Sequence, residues 1–137
     1  MSNKSRRKGK LGELEFAGWL RTRFPRLTVQ RNYAQSAVGG YDLTGLPGVA
    51  LEIKRRKTGT QHSAAWWKQV CSAAQAESLI PMLAFRFDGK TDWSMVVPLD
   101  WVLKNPIKNP EHRYACLPAY DWAALAEDRI DEESENP

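Results

Sequence analysis

The sequence predicts an α/β fold in which a mixed β-sheet is flanked by helices. Three observations lead to it: a helical pattern at residues 8–24, two short apolar segments joined by a Pro-Gly turn at residues 41–54, and a second helical pattern at residues 63–78 that strand-like segments follow. The second helix has an apolar face, which must cover one side of the predicted sheet.

The first helix is expected from about Lys8 to Phe24, because Pro25 disfavours helical conformation in the residue before it. Projected at about 100° per residue, the pattern forms one apolar stripe. Ala17, Leu20 and Phe24 form the centre of this stripe, and Leu14 and Phe16 lie at its edges.

Glu13 falls in the middle of the apolar stripe, whereas Glu15 projects to the polar side. A carboxylate on a buried face is costly unless it is paired or binds a metal ion. Two partners are open for Glu13: a core arginine such as Arg31 or Arg86, or a metal site shared with other acids. The acids of the following hairpin favour the metal site.

The hairpin at residues 41–54 is expected to turn at Pro47. Antiparallel pairing about this turn places Asp42 opposite Glu52, and side-chain alternation places Lys54 on the same face as Glu52. Two carboxylates and an ammonium group would then meet at one point. The alternative is an exposed hairpin on which Lys54 is the salt-bridge partner of two solvated acids.

Two carboxylates beside a lysine suit the hydrolysis of phosphodiesters, which are anionic and repel nucleophiles. The carboxylates can bind Mg²⁺, which prefers oxygen ligands and keeps several waters. The ion would neutralise the scissile phosphate and lower the pKa of a bound water, while Lys54 would orient that water or stabilise the developing charge. The pattern therefore predicts a metal-dependent nuclease.

The second helix is expected to start at a Ser63 cap and to run to about Ser78. Trp66 could lie at a dimer contact, stack on an exposed base, or pack at the edge of the core, which is the commoner role. The residues expected on its buried face are Trp67, Val70, Cys71 and Ala74.

Strands are expected at residues 82–87 and 93–97, with Pro81 ending the linker before them. A short helix at 99–104 and a final helix at 121–128 complete the chain. We expect residues 1–104 to form the core with a basic N-terminal arm, and residues 105–137 to form an extension with a short helix and an acidic tail in the same domain.

Four segments, at residues 8–15, 31–36, 39–42 and 51–54, together resemble the PD-(D/E)XK nuclease superfamily. Their order and spacing are most similar to archaeal-type Holliday junction resolvases and their viral relatives. The resemblance covers roughly residues 6–98 and implies a restriction-endonuclease-like sheet, Mg²⁺ or Mn²⁺ as cofactor, and four-way or other branched DNA as substrate.

The resemblance also implies roles for individual residues. Asp42, Glu52 and the backbone carbonyl of Ile53 would bind the metal ion. Glu13 would act through the water shell of the metal, and Lys54 would be the catalytic lysine. Three further implied residues are Ser36 and Arg31 near the scissile phosphate and Gln69 in support of the site.

The charge distribution is strongly polarised along the chain. Residues 1–60 contain thirteen Lys or Arg against four Asp or Glu, whereas residues 121–137 contain one against seven. Basic clusters on both sides of an acidic site predict contact with the DNA backbone. The cluster residues expected to contact DNA are Arg6, Arg7, Lys8, Lys10, Arg55, Arg56 and Lys57, and the resemblance adds Arg31 and Ser36.

Symmetric cutting of a four-way junction requires two sites in fixed relation, so we expect a homodimer. Trp93, Met95 and Val97 on the outer strand are candidates for its interface. No stretch reaches the ~20 apolar residues of a membrane span, and no signal-peptide pattern opens the chain, so we expect no membrane partner and a cytoplasmic location, in the host if the chain is phage-encoded.

Two other functions are consistent with the same residues. A nuclease of the same fold could act on linear, nicked or single-stranded DNA. A DNA-binding module could have kept the fold without cleaving, although three acids facing phosphates would only weaken such binding.

Overall fold

The computed structural model describes the backbone of residues 3–32 and 41–135, and the side chains of residues 9–32 and 41–129. Its elements are, in chain order, α1 (Asn3–Arg23), β1 (Gln30–Arg31), β2 (Leu43–Thr44), β3 (Val49–Arg56), α2 (Ala64–Ala76), β4 (Ile80–Phe87), β5 (Ser94–Pro98), α3 (Leu99–Val102), β6 (Tyr114–Pro118) and α4 (Ala119–Glu135).

Within the described residues, these strands form one six-stranded sheet in the order β1-β2-β3-β4-β5-β6. β3 and β4 pair in parallel, whereas all other neighbours pair antiparallel. Parallel neighbours need a crossover connection, which α2 provides. The predicted mixed sheet flanked by helices is confirmed.

Helices cover both faces of the sheet. Side chains of successive strand residues point to opposite sides, so each face of the sheet has its own hydrophobic cluster. On one face, α1 and α4 pack against a cluster that includes Leu51 and Ile53 of β3. On the other face, α2 packs against a cluster that includes Leu83 and Phe85 of β4. The α2 residues that bury themselves there are the four predicted from the sequence. The two clusters thus lie on opposite faces of the sheet.

A type II turn joins β2 to β3. The Val49 N–H donates to the Leu46 carbonyl at 3.2 Å, and Gly48 has a φ of +71°. Such a turn favours proline at its second position and needs a positive φ at its third, which glycine adopts without strain. Pro47 and Gly48 therefore set the register of the hairpin, as the sequence predicted.

The apolar stripe of α1 differs from the prediction at one edge. Phe16 is fully buried and packs against Trp93, with ring centroids 5.0 Å apart. Leu14 is 59% exposed, so its predicted place in the stripe is wrong. Leu11 and Leu14, one turn apart, point away from the sheet.

The second half of the chain contains further corrections. Pro81 does not end a linker but lies in β4, beside Ala50 of β3. β5 is not outermost, because β6, a strand that was not predicted, pairs along it. Trp93, Met95 and Val97 are buried in the core, so they cannot form a dimer interface.

No helix in residues 3–32 and 41–135 combines the length and the apolar character that crossing a bilayer requires.

Candidate active site

Asp42 and Glu52 lie next to each other where the hairpin meets the rest of the sheet. Leu43 pairs with Leu51, and the same antiparallel register brings Asp42 opposite Glu52. Both acids are buried, with 5% and 4% of their surface exposed. The alternative of two solvated acids on an exposed hairpin is therefore excluded.

The backbone of the neighbouring strands holds Asp42 in place. The Ile53 N–H donates to Oδ2 of Asp42 at 2.7 Å, and the Asp42 N–H donates to the Leu51 carbonyl at 2.8 Å. On the other side, the Asn32 N–H donates to the Asp42 carbonyl at 2.8 Å. Ile53 thus orients the carboxylate through its N–H, and a metal-binding role for its carbonyl stays a prediction.

Among the described residues, Glu52 has one charged partner of opposite sign. Its Oε1 lies 3.6 Å from Nζ of Lys54, whereas its Oε2 is buried and receives no hydrogen bond from any donor in the described residues. Burial, and then the charge of Asp42, raise the pKa of Glu52 to about 8, and the Lys54 ammonium only partly opposes them. A buried carboxylate oxygen without a donor is a position that a cation can fill.

Glu13 reaches the same acids from α1. Its Oε2 lies 3.6 Å from Nε of Arg31, and its carboxyl group is close enough to that of Asp42 for the two charges to interact. Burial and the Asp42 charge raise the pKa of Glu13, while Arg31 lowers it. The sequence left two kinds of partner open for Glu13, an arginine or the acidic pair. In the structure, Glu13 lies beside both. Arg86, the other arginine considered, binds Glu15 instead.

The donor set fits a hard divalent cation held mainly by two carboxylates. Asp42 and Glu52 offer adjacent anionic oxygens in a buried site, and a cation would satisfy Glu52 Oε2. Among the described residues, no three His, Cys, Asp or Glu side chains converge closely enough to hold an ion by themselves. Mg²⁺ retains water in most sites, and the role of Glu13 through that water stays a prediction.

Glu15 lies in an ion-pair cluster that the helical projection missed. Its carboxylate binds the guanidinium groups of Arg86 and Arg55, the latter at 3.2 Å, and accepts a hydrogen bond from Trp93 Nε1 at 3.3 Å. Arg55 also lies 3.5 Å from Asp88. The prediction that Glu15 lies on a polar face is wrong, because register partners on β3 and β4 both reach it.

The three basic residues that follow Lys54 lie in different surroundings. Arg55 is shared between Glu15 and Asp88, and its predicted contact with DNA stays a prediction. Arg56 points to the other face of the sheet, where its guanidinium carbon lies 5.4 Å from the centre of the Trp66 ring. Lys57 is exposed.

The remaining predicted DNA contacts are only partly described. Lys10 and Arg31 are exposed. Arg6, Arg7 and Lys8 belong to α1, but their side chains lie outside the described residues. Ser36 lies outside them altogether.

Two α2 residues singled out from the sequence lie in different surroundings. Gln69 is exposed, unlike the α2 residues that face the sheet, and its supporting role stays a prediction. Trp66 lies at the edge of the second hydrophobic cluster, with its ring centroid 6.3 Å from that of Phe87. Packing at the edge of the core is therefore its structural role.

Comparison with known proteins identifies a matching family. A family described as phage putative PDDEXK endonuclease matches residues 4–116, which include the acids, Lys54 and the basic residues described above. No curated protein matches the chain at a significant level.

Proposed function

The chain belongs to the family of phage putative PDDEXK endonucleases, and we propose that it cuts branched DNA with the help of a divalent metal ion, with the Holliday junction as preferred substrate. The observation that carries the proposal is the buried pair of Asp42 and Glu52 beside Lys54. Buried adjacent acids repel each other, and a cation between them removes that repulsion. The protein would act on DNA in the cytoplasm.

Asp42 and Glu52 would hold the ion, Mg²⁺ or Mn²⁺, with the Ile53 carbonyl as a further ligand. When bound, such an ion neutralises the scissile phosphate and lowers the pKa of a coordinated water. Asp42 is already oriented by the Ile53 N–H, and Glu52 is confined by burial. Ligands fixed in advance need little rearrangement during the reaction.

Lys54 and Glu13 would act on the two sides of this pair. The Lys54 ammonium, 3.6 Å from Glu52, can donate to the attacking water or to the phosphoryl oxygens as their charge increases. Glu13 can accept a hydrogen bond from a water beside Asp42. Arg31 is exposed next to Glu13 and can neutralise the phosphate.

The preference for branched DNA rests on the resemblance to archaeal-type Holliday junction resolvases in the order and spacing of the motifs. The polarised charge supports DNA binding in general, since the basic half of the chain contains the candidate site. Because a four-way junction has two-fold symmetry, we propose that the chain acts as a homodimer.

Cleavage assays on several DNA structures test the proposal. The full chain is incubated with end-labelled four-way junction, linear duplex, nicked duplex and single strand, each with Mg²⁺, Mn²⁺ or EDTA. We expect paired cuts in the junction with either ion and no cuts in EDTA. Glu52→Gln, which keeps the volume of the side chain and removes its charge, should cut none of them.

Two outcomes would change the assignment. Equal cutting of all substrates would remove the junction preference and leave a nuclease of linear, nicked or single-stranded DNA. DNA binding without cutting of any substrate would favour a non-catalytic DNA-binding module.

A further inference from the structure

We propose that Arg56, held over the ring of Trp66, binds the DNA phosphate next to the cleavage site, and that Trp66 acts through Arg56 rather than by stacking on a base. The inference deepens the proposed nuclease function and rests on it. It assigns a substrate contact to one member of a basic run and gives a positioning role to an aromatic residue on α2.

Arg56 shares a face of the sheet with the reactive residues of β3. Alternate residues of a strand point to one side and lie about 6.6 Å apart, so Glu52, Lys54 and Arg56 form a row. Their register partners on β4 include Phe85 and Phe87, which belong to the cluster under α2. The row therefore starts at the acidic pair and lies on the face of the sheet that α2 covers.

The guanidinium group of Arg56 is available for an anion, unlike that of its neighbour. Arg55 points to the opposite face and lies between two carboxylates, Glu15 and Asp88. In the described part of the chain, Arg56 forms no ion pair, and Nη1 donates one hydrogen bond, at 3.0 Å, to the Arg55 carbonyl. A guanidinium has five N–H donors in a fork that matches phosphate, so most of them remain for DNA.

Trp66 fixes the position of this guanidinium group. The Arg56 carbon Cζ lies 5.4 Å from the Trp66 ring centre, and the Trp66 ring lies 6.3 Å from that of Phe87, the register partner of Arg56. A stacked arginine loses less conformational freedom when it binds phosphate. Because the Trp66 ring already contacts Arg56 and Phe87, we assign it to support rather than to base stacking.

DNA binding in EDTA, where cleavage is blocked, tests the contact. The affinity of the full chain for a fluorescent four-way junction is measured from about 50 to 200 mM salt. Arg56→Gln should weaken binding about three- to tenfold and reduce the slope of log affinity against log salt by ~0.9, the contribution of one phosphate contact.

Lys104→Gln is the matched control, because it also replaces one positive charge by an amide. Lys104 is exposed and follows α3, which begins where β5 ends. β5 runs antiparallel to β4, so this is the end of the sheet opposite to Arg56. Affinity and salt slope should both stay at their original values in this variant.

A double-mutant cycle tests the role of Trp66. Trp66→Ala should weaken binding about as much as Arg56→Gln and should add nothing in the Arg56→Gln background, because both substitutions would disable the same contact. Trp66→Phe keeps an aromatic surface, guards against a folding defect and should bind nearly as tightly as the original chain.

Every outcome separates this inference from the function on which it rests. Unchanged affinity and slope for Arg56→Gln would overturn it. Equal losses from Trp66→Ala in both backgrounds would overturn it as well, since Trp66 would then contact DNA itself. If the chain cuts no DNA with Mg²⁺ but Arg56→Gln weakens binding as described, the nuclease function fails and the Arg56 contact stands. A chain that binds no DNA contradicts both.

Discussion

Glu52 is buried beside a second acid, and its Oε2 has no hydrogen-bond donor in the described residues. With a pKa of about 8, the carboxyl group retains a proton at neutral pH in the absence of a cation. A cation that binds to this oxygen must displace that proton, so metal binding and protonation are linked. Lys54 lies on the other oxygen and cannot replace the cation there.

This linkage predicts that metal affinity depends on pH. Between about pH 6 and pH 8, the apparent affinity for Mn²⁺ should rise with pH by up to about tenfold per unit and then level off, because the raised pKa makes the proton a competitor below that point. Calorimetric titration of the full chain with Mn²⁺ across this range measures it. An affinity that stays constant with pH would show that no carboxyl proton is displaced.

Lys54 is predicted to act on the reaction rather than on binding. Lys54→Ala should lower the single-turnover rate of junction cleavage by about 10²- to 10³-fold, the usual effect of removing one donor to the transition state. Affinity for the junction in EDTA should change only a few-fold. Lys104→Ala serves as the charge control, and full activity of Lys54→Ala would refute the role of the lysine.

α1 approaches β3 closely because residue 12 is a glycine. A Cβ at Gly12 would lie 2.9 Å from Cβ of Arg55, closer than such carbons normally approach. Glu13 follows directly, so the same close approach brings its carboxylate to Asp42. The ion pairs of Glu15 with Arg55 and Arg86 hold the helix in this position.

A methyl group at position 12 should therefore affect both stability and activity. Gly12→Ala should lower the free energy of unfolding by about 1–3 kcal/mol, as overpacking does, and should slow cleavage because Glu13 is displaced. Urea denaturation and cleavage rates measure the two effects.

Gly18→Ala in the same helix is the control, because a Cβ there meets no atom within 4 Å. It should stabilise the chain by about 0.5–1 kcal/mol through helix propensity. If both substitutions have the same effect on the free energy of unfolding and on the cleavage rate, the close contact of α1 with β3 contributes to neither.

Elements with strong local signals were predictable from the sequence. The Ser63 hydroxyl caps α2 by accepting a hydrogen bond from the Trp66 N–H at 3.1 Å, and the Pro47-Gly48 turn sets the hairpin register. This register alone was enough to predict that Asp42 lies opposite Glu52. β6 was missed because its residues alternate only between exposed and half-buried positions, so its apolar pattern is weak.

Contacts that depend on pairing distant parts of the chain could not be predicted. Glu15 meets Arg55 and Arg86 only because β3 and β4 pair in parallel in one register, which no local pattern specifies. Strand alternation alone places Arg55 and Arg56 on opposite faces, but the ion pairs of Arg55 with Glu15 and Asp88 depend on the folded chain. Helical projection placed Glu13 correctly near the acids but not Leu14, whose side chain faces away from the sheet.

The C-terminal part of the chain completes both the sheet and the core. β6 pairs along the whole of β5. Trp122 of α4 is buried, with its ring centroid 6.0 Å from that of Phe24, and Glu127 binds Arg23 of α1 at 2.9 Å. β6 and α4 therefore support the helix that carries Glu13.

Deleting residues 114–137 should consequently abolish cooperative folding, since it exposes an edge of β5 and removes part of the main hydrophobic cluster. Circular dichroism melting of the shortened chain measures this. Deleting only residues 130–137 keeps Trp122 and Glu127, and this variant should melt within a few degrees of the full chain. A cooperative transition at the original temperature in the longer deletion would show that β6 and α4 are dispensable.

In the residues that the structure describes, helices flank a six-stranded sheet that presents two buried acids. Whether those acids hold a cation is tested most directly by anomalous diffraction from crystals soaked in Mn²⁺. We expect an anomalous peak between the Asp42 and Glu52 carboxylates, about 2.1 Å from an oxygen of each, and no such peak in Glu52→Gln. Clear density in which the two carboxyl groups contact each other without an ion, with Mn²⁺ bound elsewhere or not at all, would contradict the proposed metal site.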